Sequence, residues 1–436
     1  MNVIIVYDFA YINGGAAGVA IAEALALAEE NYHVTYFSAV GPVDPRFEQS
    51  KVEVICLNQQ ELKAQLGGIL PKIKGAVQGV VNPEAVSQLS ELLQRFDPRD
   101  TLVHVHGCTL ALSAAIFSVI KKHHFKMAFT CHDYELNCPV RTYFNYQKNT
   151  MCTVKGMSLK CICTNCDKRS RAQKLYRVFR EFLLRGFLKG NDLSLIYLSE
   201  FNREIMERDL RIPCAGYVVP NVVNIPPKQK IDPASNHRFL FVGRLTPEKG
   251  VELFCQAVTR SGVEADIIGD GELYAPMREK YPNVTFHGWK TASEMIPIIQ
   301  KARCYIMSSI WYEGAPLTVP ELQCGYALPC IVPTPCGAQL YVEHMQNGMI
   351  YKSNDLEALV SCIEACKDDG LIRKFSENCE KIDRSQYSGK VHIRALRKAY
   401  DSIMGAATVR RSLVMYASSG YFRCVGVCKA LSERFF

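Results

Sequence analysis

Four charged residues in the second half of the chain have the types and spacing that suit binding of a diphosphate. Arg244 and Lys249 lie in the segment Gly-Arg-Leu-Thr-Pro-Glu-Lys-Gly, directly after an apolar run that predicts a buried strand. Glu313 and Glu321 follow, eight positions apart, and a Gly-Asp-Gly turn begins at Gly269. Loops at the carboxyl ends of parallel strands bind ligands, and guanidinium and ammonium groups there bind phosphate.

The two glutamates do not fit one face of a single helix. Eight helical steps would place them about 80° apart around the axis. We therefore predict that Glu313 lies in a loop and Glu321 in the helix that follows, with Pro316 near the first turn. The free amides of Leu317 and Thr318 at the start of that helix would bind a phosphate.

These residues require an α/β framework, and the apolar pattern predicts one. The first 37 residues predict a βαβ unit. It consists of an apolar strand at 3–7, a glycine segment at 13–18, a helix at 19–30 and a second strand at 33–37. The alternation restarts after the proline-rich residues 221–237, which we interpret as a linker. The predicted fold class is α/β, with two Rossmann-like, doubly wound halves that face a central cleft.

The glycine segment of the first half does not match a dinucleotide site. The G-x-G-x-x-G fingerprint requires glycine where Asn13 stands, and an acidic residue where residues 37–39 read Phe-Ser-Ala. Gly14 and Gly15 either let a phosphate approach the amides of the following helix or simply allow a tight turn. Both interpretations stay open at this point.

The stretches that carry these residues resemble retaining glycosyltransferases of family 4, which have the GT-B fold. In the second half they are FLFVGRLTPEKGVELF, IIGDGELYAPMREKYPNVTFHGW and SSIWYEGAPLTVPELQCGYALPCIVP. In the first half they are LVHVHG, AFTCHDY and VVPNVVN. The order and spacing of these stretches make the resemblance specific.

The resemblance implies a role for each candidate residue. Arg244 and Lys249 would hold the donor's diphosphate, Glu321 the ribose, and Glu313 would lie near the donor sugar. His132 would contact the sugar at the reaction centre. The remaining donor-binding candidates are the glycines and helix amides named above: Gly14, Gly15, Gly269, Leu317 and Thr318.

The sequence departs from the family's pattern at Pro320, at residues 336–340, which read Cys-Gly-Ala-Gln-Leu, and at Asn224, where an aspartate is common. Pro320 precedes Glu321 inside the predicted helix and is expected to kink it, because proline lacks the amide that a helix interior uses. The chain also holds no D-x-D triplet, which agrees with a transfer that needs no catalytic metal ion.

The sequence predicts five parts of the chain. They are an acceptor-side half at 1–220 with a cysteine-rich segment at 138–166, the linker at 221–237, a donor-binding half at 238–385, a returning helix at 386–404, and a basic and apolar extension at 405–436.

Five of the 19 cysteines fall close together, and their spacing predicts a structural zinc site. They are Cys138, Cys152, Cys161, Cys163 and Cys166. The alternative is a loop of free thiols. A catalytic role for zinc is not expected. His104 and His106 flank the end of a strand, and each either lines the cleft or belongs to the core.

Composition excludes several classes of protein and favours one location. With 48% hydrophobic and 22% charged residues, the chain is not disordered, collagen-like or a coiled coil. Neither a basic leader nor a membrane span is apparent, so we expect a cytoplasmic protein. Residues 168–189 hold eight Lys and Arg among apolar residues at helical spacing, which suits an anionic membrane surface or a packed helix equally.

The sequence thus predicts an enzyme that transfers a sugar from a UDP or GDP sugar to a glycan or lipid-linked glycan, with retention of configuration. Surface-polysaccharide assembly is the expected setting, and no nucleic acid is expected as a partner. The alternatives are a sugar-nucleotide epimerase of the same fold and a non-catalytic binding protein on a degenerate transferase scaffold.

Overall fold

The structure is a computed structural model that describes residues 1–60, 78–107, 110–229 and 231–405. The predicted extension at 405–436 lies outside the described residues from Ala406 onward. None of the helices in the described ranges is both long and apolar enough to cross a lipid bilayer.

Strands and helices alternate along most of the described chain. The strands are β1 (Asn2–Phe9), β2 (His33–Val40), β3 (Glu53–Cys56), β4 (Thr101–His106), β5 (Lys126–Thr130), β6 (Phe144–Asn145), β7 (Thr150–Met151), β8 (Asp192–Tyr197), β9 (Ala215–Val218), β10 (Arg238–Val242), β11 (Ala265–Ile268), β12 (Val284–Phe286), β13 (Ala302–Ile306), β14 (Cys330–Thr334) and β15 (Gly348–Lys352). The helices are α1 (Gly15–Glu29), α2 (Pro83–Leu93), α3 (Ile116–Lys122), α4 (Leu159–Cys163), α5 (Arg171–Leu188), α6 (Glu200–Glu207), α7 (Val251–Arg260), α8 (Tyr274–Lys280), α9 (Ala292–Ile299), α10 (Thr318–Tyr326), α11 (Leu356–Ala365), α12 (Asp369–Glu380) and α13 (Gly389–Gly405).

Two parallel sheets form the framework, as the apolar runs predict. The first has the order β3-β2-β1-β4-β5-β8-β9, and the second has the order β12-β11-β10-β13-β14-β15. Neighbouring strands in both sheets run parallel. Val3, Ile4, Ile5 and Val6 of β1 are all fully buried, because helices cover both faces of the sheet. The predicted α/β class is therefore confirmed.

The last helix packs against the first sheet. Ile393, Leu396 and Ile403 of α13 share a core cluster with Val3 and Ile5 of β1. The chain thus crosses between the two sheets twice, once through residues 219–237 and once through residues 381–388.

One predicted helix is shorter than the apolar pattern indicates. We expect a helix over 110–122, but α3 begins only at Ile116. The amides of Leu110, Ala111 and Leu112 instead donate to the carboxylate of Asp8, over 2.6 to 3.1 Å. These amides satisfy a buried carboxylate at the end of β1 and so hold the segment as a loop.

Candidate active site

Two tight turns at the carboxyl edge of the second sheet position the predicted cations. The amide of Gly243 donates to the carbonyl of Ile268, and the amide of Leu245 donates to the carbonyl of Asp270. A Cβ atom on Gly269 would lie 1.9 Å from the Gly243 carbonyl oxygen, so only glycine allows the two turns to pack this closely. The segment that carries Arg244 and Lys249 is therefore held firmly against its neighbour.

Lys249 and Glu313 form an ion pair across two loops. The Nζ atom of Lys249 lies 2.6 Å from Oε1 of Glu313, and each side chain is 16% exposed. Oε2 of Glu313 accepts a hydrogen bond from the Ser309 hydroxyl at 2.9 Å. Arg244 is exposed, and none of its side-chain atoms has a partner among the residues described. The site therefore holds one paired cation and one cation that is available to a ligand.

Glu321 lies in the first turn of α10, as the spacing predicts. The expected kink at Pro320 is wrong. Because α10 begins at Thr318, Pro320 occupies the first turn, where the amide that proline lacks has no acceptor within the helix. Burial raises the pKa of the Glu321 carboxyl to about 7.

Two aromatic residues, Trp311 and Tyr134, join this site to the first half of the chain. Neither has a role predicted from the sequence. The Trp311 ring lies 5.5 Å from Nζ of Lys249 and 6.5 Å, centroid to centroid, from the ring of Tyr134. The hydroxyl of Ser199 also donates to the carbonyl of Gly314 at 2.7 Å. Trp311 stands two positions before Glu313, which is the only sequence signal that marked it.

His132 follows β5 and belongs to the first half's side of this site. Its Nε2 atom lies 3.1 Å from Nδ1 of His106, with the two rings stacked. Burial, followed by the nearby His106, lowers the pKa of His132 to about 3, so the ring is neutral at pH 7. His106 is fully buried at the end of β4. Since Tyr134 contacts Trp311, the segment around His132 approaches the Glu313 loop.

Gly14 and Gly15 lie at the start of α1, where both are exposed. A Cβ atom added to either glycine would meet nothing within 4 Å. Neither glycine is therefore required for packing, which weakens the explanation that they serve only a tight turn. The structure does not bring them into contact with Lys249 or Glu313.

Two of the five clustered cysteines contact a buried ammonium group. Nζ of Lys174 lies 3.2 Å from the Cys166 sulfur and 3.7 Å from the Cys161 sulfur. Cys138 and Cys152 lie near enough to interact electrostatically with this cluster. Cys163 is exposed.

The cluster has the donor chemistry that zinc prefers, and Lys174 shows that its centre accepts a cation. Burial lowers the pKa of Lys174, but the neighbouring sulfur groups outweigh burial and raise it. Among the described residues, however, only Glu23, His104 and His106 bring three ligand atoms within 4.8 Å of one another. Zinc at the cysteines stays a prediction, and it requires the sulfurs to close around the position that the ammonium holds.

Comparison with known proteins addresses the second half most directly. Residues 236–369 match the family Glycosyl transferases group 1. Over this segment the chain is similar to group 1 glycosyltransferases. The segment contains Arg244, Lys249, Glu313 and Glu321, so the candidate site lies within the matched residues.

Two curated relatives support this assignment. An uncharacterized glycosyltransferase of Methanocaldococcus jannaschii is 22% identical over 220 residues, which are 49% of this chain and 60% of the relative. The match therefore covers less than two thirds of that protein. An uncharacterized glycosyltransferase of Haemophilus influenzae is 23% identical over 368 residues, 80% of this chain and 86% of the relative.

Three solved structures share the fold of both halves of the chain. Sucrose-phosphate synthase from Thermosynechococcus elongatus has a TM-score of 0.69 at 17% identity, over 93% of this chain and 100% of that one. Anabaena HepE in complex with UDP and glucose has a TM-score of 0.64 at 14% identity, over 92% and 99%. WaaG, a glycosyltransferase involved in lipopolysaccharide biosynthesis, has a TM-score of 0.57 at 15% identity, over 93% and 100%. The predicted GT-B architecture is confirmed.

Proposed function

We propose that the chain is a retaining glycosyltransferase of family 4 that transfers a sugar from a UDP or GDP sugar to a glycan or a lipid-linked glycan. The observation that carries the proposal is the Lys249–Glu313 pair, 2.6 Å apart at the carboxyl edge of the second sheet. Exposed Arg244 stands in the same loop as Lys249. Cations at this edge suit a ligand that carries a diphosphate.

Stabilisation of the leaving diphosphate is the main catalytic task at this site. Negative charge builds up on the diphosphate as the sugar leaves, and fixed cations and helix amides lower the energy of that state. Arg244 and Lys249 supply the cations, and the first turn of α10 supplies the amides of Leu317 and Thr318. Lys249 exchanges its contact with Glu313 for the phosphate, which frees the Glu313 carboxylate for the sugar hydroxyls.

The first half would contribute Gly14, Gly15 and His132. The open space at the two glycines lets a phosphate approach the amide end of α1. The neutral His132 ring hydrogen-bonds a hydroxyl of the donor sugar without adding a charge. Glu321, in α10, accepts hydrogen bonds from the ribose.

The acceptor and the cellular setting are inferred from the surface of α5. Leu175, Phe179 and Phe182 are 49%, 55% and 69% exposed, and they follow one another at helical spacing. Exposed Arg171 and Lys189 stand at the ends of the same helix. An apolar stripe with flanking cations suits the surface of an anionic membrane, where lipid-linked glycans are held. We therefore propose surface-polysaccharide assembly as the setting, as in the lipopolysaccharide role stated for WaaG.

A donor screen followed by product analysis tests the proposal. We expect one nucleotide among UDP, GDP and ADP to raise the melting temperature, because a ligand of the folded state stabilises it. The matching sugar nucleotide should then yield a glycoside with the donor's anomeric configuration. Conversion of the sugar nucleotide into its epimer would identify an epimerase. Binding without turnover of any donor, with membranes and glycans present, would identify a binding protein.

A further inference from the structure

A row of polar side chains runs from His132 to the point where the chain leaves the first sheet. Nε2 of His132 lies 3.1 Å from Nδ1 of His106. Nε2 of His106 lies 3.1 Å from Oε2 of Glu23, and Oε1 of Glu23 lies 3.0 Å from Nε2 of His392. The row ends where Nδ1 of His392 lies 2.6 Å from the carbonyl oxygen of Pro220.

The members of this row come from three separate elements and are shielded from water. Glu23 lies on α1, His106 ends β4, and His392 lies on α13. None of the three is more than 3% exposed. A buried charge is costly unless a partner balances it, so the partners within the row determine where its protons lie.

The far end of the row has a defined protonation state. The Pro220 carbonyl accepts the Nδ1 proton of His392, and the Glu23 carboxylate, 3.0 Å from Nε2, balances the charge that a second proton on Nε2 brings. Burial opposes the resulting charge, but Glu23 and the Pro220 carbonyl outweigh burial and raise the pKa of His392. Burial likewise disfavours the Glu23 carboxylate, yet the contacts with His106 and His392 hold its pKa well below the usual range.

Charge balance then determines the tautomers of the other two rings. One carboxylate compensates one imidazolium, so a second positive charge on His106 would be unbalanced, and the single His106 proton lies on Nε2, which faces Glu23. Its Nδ1 atom is therefore an acceptor and takes the Nε2 proton of His132 in a hydrogen bond. The lone pair on Nδ1 of His132 is therefore available to accept a hydrogen bond from a ligand.

His104 lies beside this row, with its Nδ1 atom 3.5 Å from Oε2 of Glu23. Its Nδ1 atom lies 2.6 Å from the Tyr400 hydroxyl, and its Nε2 atom lies 2.7 Å from the Thr130 hydroxyl. Both of its nitrogens have protein partners, so the grouping of Glu23, His104 and His106 offers no complete set of free ligand atoms to a metal ion.

We propose that Glu23, His106 and His392 are positioning residues that hold His132 in the Nε2–H tautomer, so that Nδ1 accepts a hydrogen bond from a hydroxyl of the donor sugar. The contact with the sugar rests on the proposed transferase function, whereas the tautomer does not. The device has the same logic as a buried carboxylate that orients a catalytic histidine in a hydrolase.

The tautomer is measured directly by ¹⁵N NMR of protein labelled at histidine, without ligand. We expect the signals that disappear in His132→Gln to show a protonated Nε2 and an unprotonated Nδ1. In Glu23→Leu, Nε2 of His106 loses the carboxylate that holds its proton, so the proton is no longer confined to Nε2. A protonated Nδ1 should then appear on His132, and kcat should fall roughly 100-fold with a smaller change in KM.

Ile403→Val is the matched control, because Ile403 is buried on the same helix as His392 but belongs to the apolar core cluster. It should leave the His132 tautomer and kcat unchanged. A protonated Nδ1 on His132 in the wild-type protein would overturn the proposal, even if Glu23→Leu does not fold. An unchanged tautomer in folded Glu23→Leu would also overturn it. Absence of transfer by a wild-type protein that shows the expected tautomer would refute the transferase function instead.

Discussion

The ammonium of Lys249 lies 2.6 Å from the carboxylate of Glu313, although the two residues follow different strands. Lys249 stands after β10 and Glu313 after β13, which are neighbours in the second sheet. Because parallel strands end at the same edge, segments far apart in the chain meet there. The pair therefore brings together the cation that we propose for the diphosphate and the carboxylate that we propose for the sugar.

Replacement of Lys249 by Ala should abolish most turnover while the fold persists. The variant loses a cation at the developing charge of the leaving group, for which we expect roughly a 100-fold fall in kcat/KM. Initial rates with the matching sugar nucleotide measure the change, and circular dichroism measures the fold. Lys301→Ala, at an exposed lysine of the same half, is the control. Equal rates in both variants would refute the assignment of Lys249.

Alanine variants at two glycines of α1 distinguish a role in donor binding from a role in packing. Neither Gly15 nor Gly18 has an atom within 4 Å of an added Cβ, so Ala fits at both positions. Since Ala favours a helix over Gly, both variants should be at least as stable as the parent. We expect Gly15→Ala to raise the donor KM roughly tenfold by blocking the approach of the phosphate to the helix amides, and Gly18→Ala to leave it unchanged. Equal donor KM values in the two variants would show that no phosphate passes Gly15.

Binding of the nucleotide should weaken as the pH falls through 7. Burial raises the pKa of Glu321 to about 7 in the free protein, and only the ionised carboxylate accepts both ribose hydroxyls. Titration calorimetry should therefore show a Kd that rises between pH 8 and pH 6, and this rise should be smaller in Glu321→Gln. An identical pH dependence in both proteins would exclude Glu321 as the ribose ligand.

The same carboxyl predicts a stability effect with a definite sign. Its pKa in the folded chain is raised from the ordinary value of 4.5 to about 7, so ionisation destabilises the folded state as the pH rises above about 5. Glu321→Gln should therefore raise the melting temperature at pH 8 more than at pH 5. A larger gain at pH 5 would contradict the burial of this group.

Metal analysis tests the cysteine cluster. If zinc replaces the Lys174 ammonium among the four sulfurs, the purified protein should hold about one zinc per chain. Cys163→Ser should retain it, because Cys163 is exposed, and Cys166→Ser should lose most of it. Wild-type protein purified without chelators that holds no zinc would refute the site and leave Lys174 as the cation of the cluster.

Vesicle binding tests the surface of α5. Phe179→Ser and Phe182→Ser should together weaken sedimentation with vesicles that contain anionic lipid, because these two side chains are more than half exposed. Phe187→Ser is not a suitable control, since Phe187 packs against the core. Leu340→Ser, at an exposed apolar residue of the second half, serves instead. If the variant with both Phe179→Ser and Phe182→Ser and the Leu340→Ser variant lose vesicle binding equally, the membrane contact does not lie on α5.

Motifs of adjacent residues predicted those parts of the site whose geometry depends on adjacent residues. The glycine turns around Arg244, and the position of Glu321 in a helix after a loop, follow from residues that are adjacent in the sequence. The row from His132 to His392 could not be predicted in this way. Glu23, His106 and His392 each look like an ordinary residue within its own segment, and only the packing of α1, β4 and α13 brings them together. Asp8 shortened a predicted helix for the same reason, because its partners lie about a hundred positions away.

The packing of α13 on the first sheet has a consequence for synthesis of the chain. Ile393 and Leu396 share a core cluster with Val3 and Ile5, and they leave the ribosome after both sheets have been made. A nascent first half therefore lacks part of its core until α13 has been synthesised. The first sheet to be made is in this way the last to have its core completed.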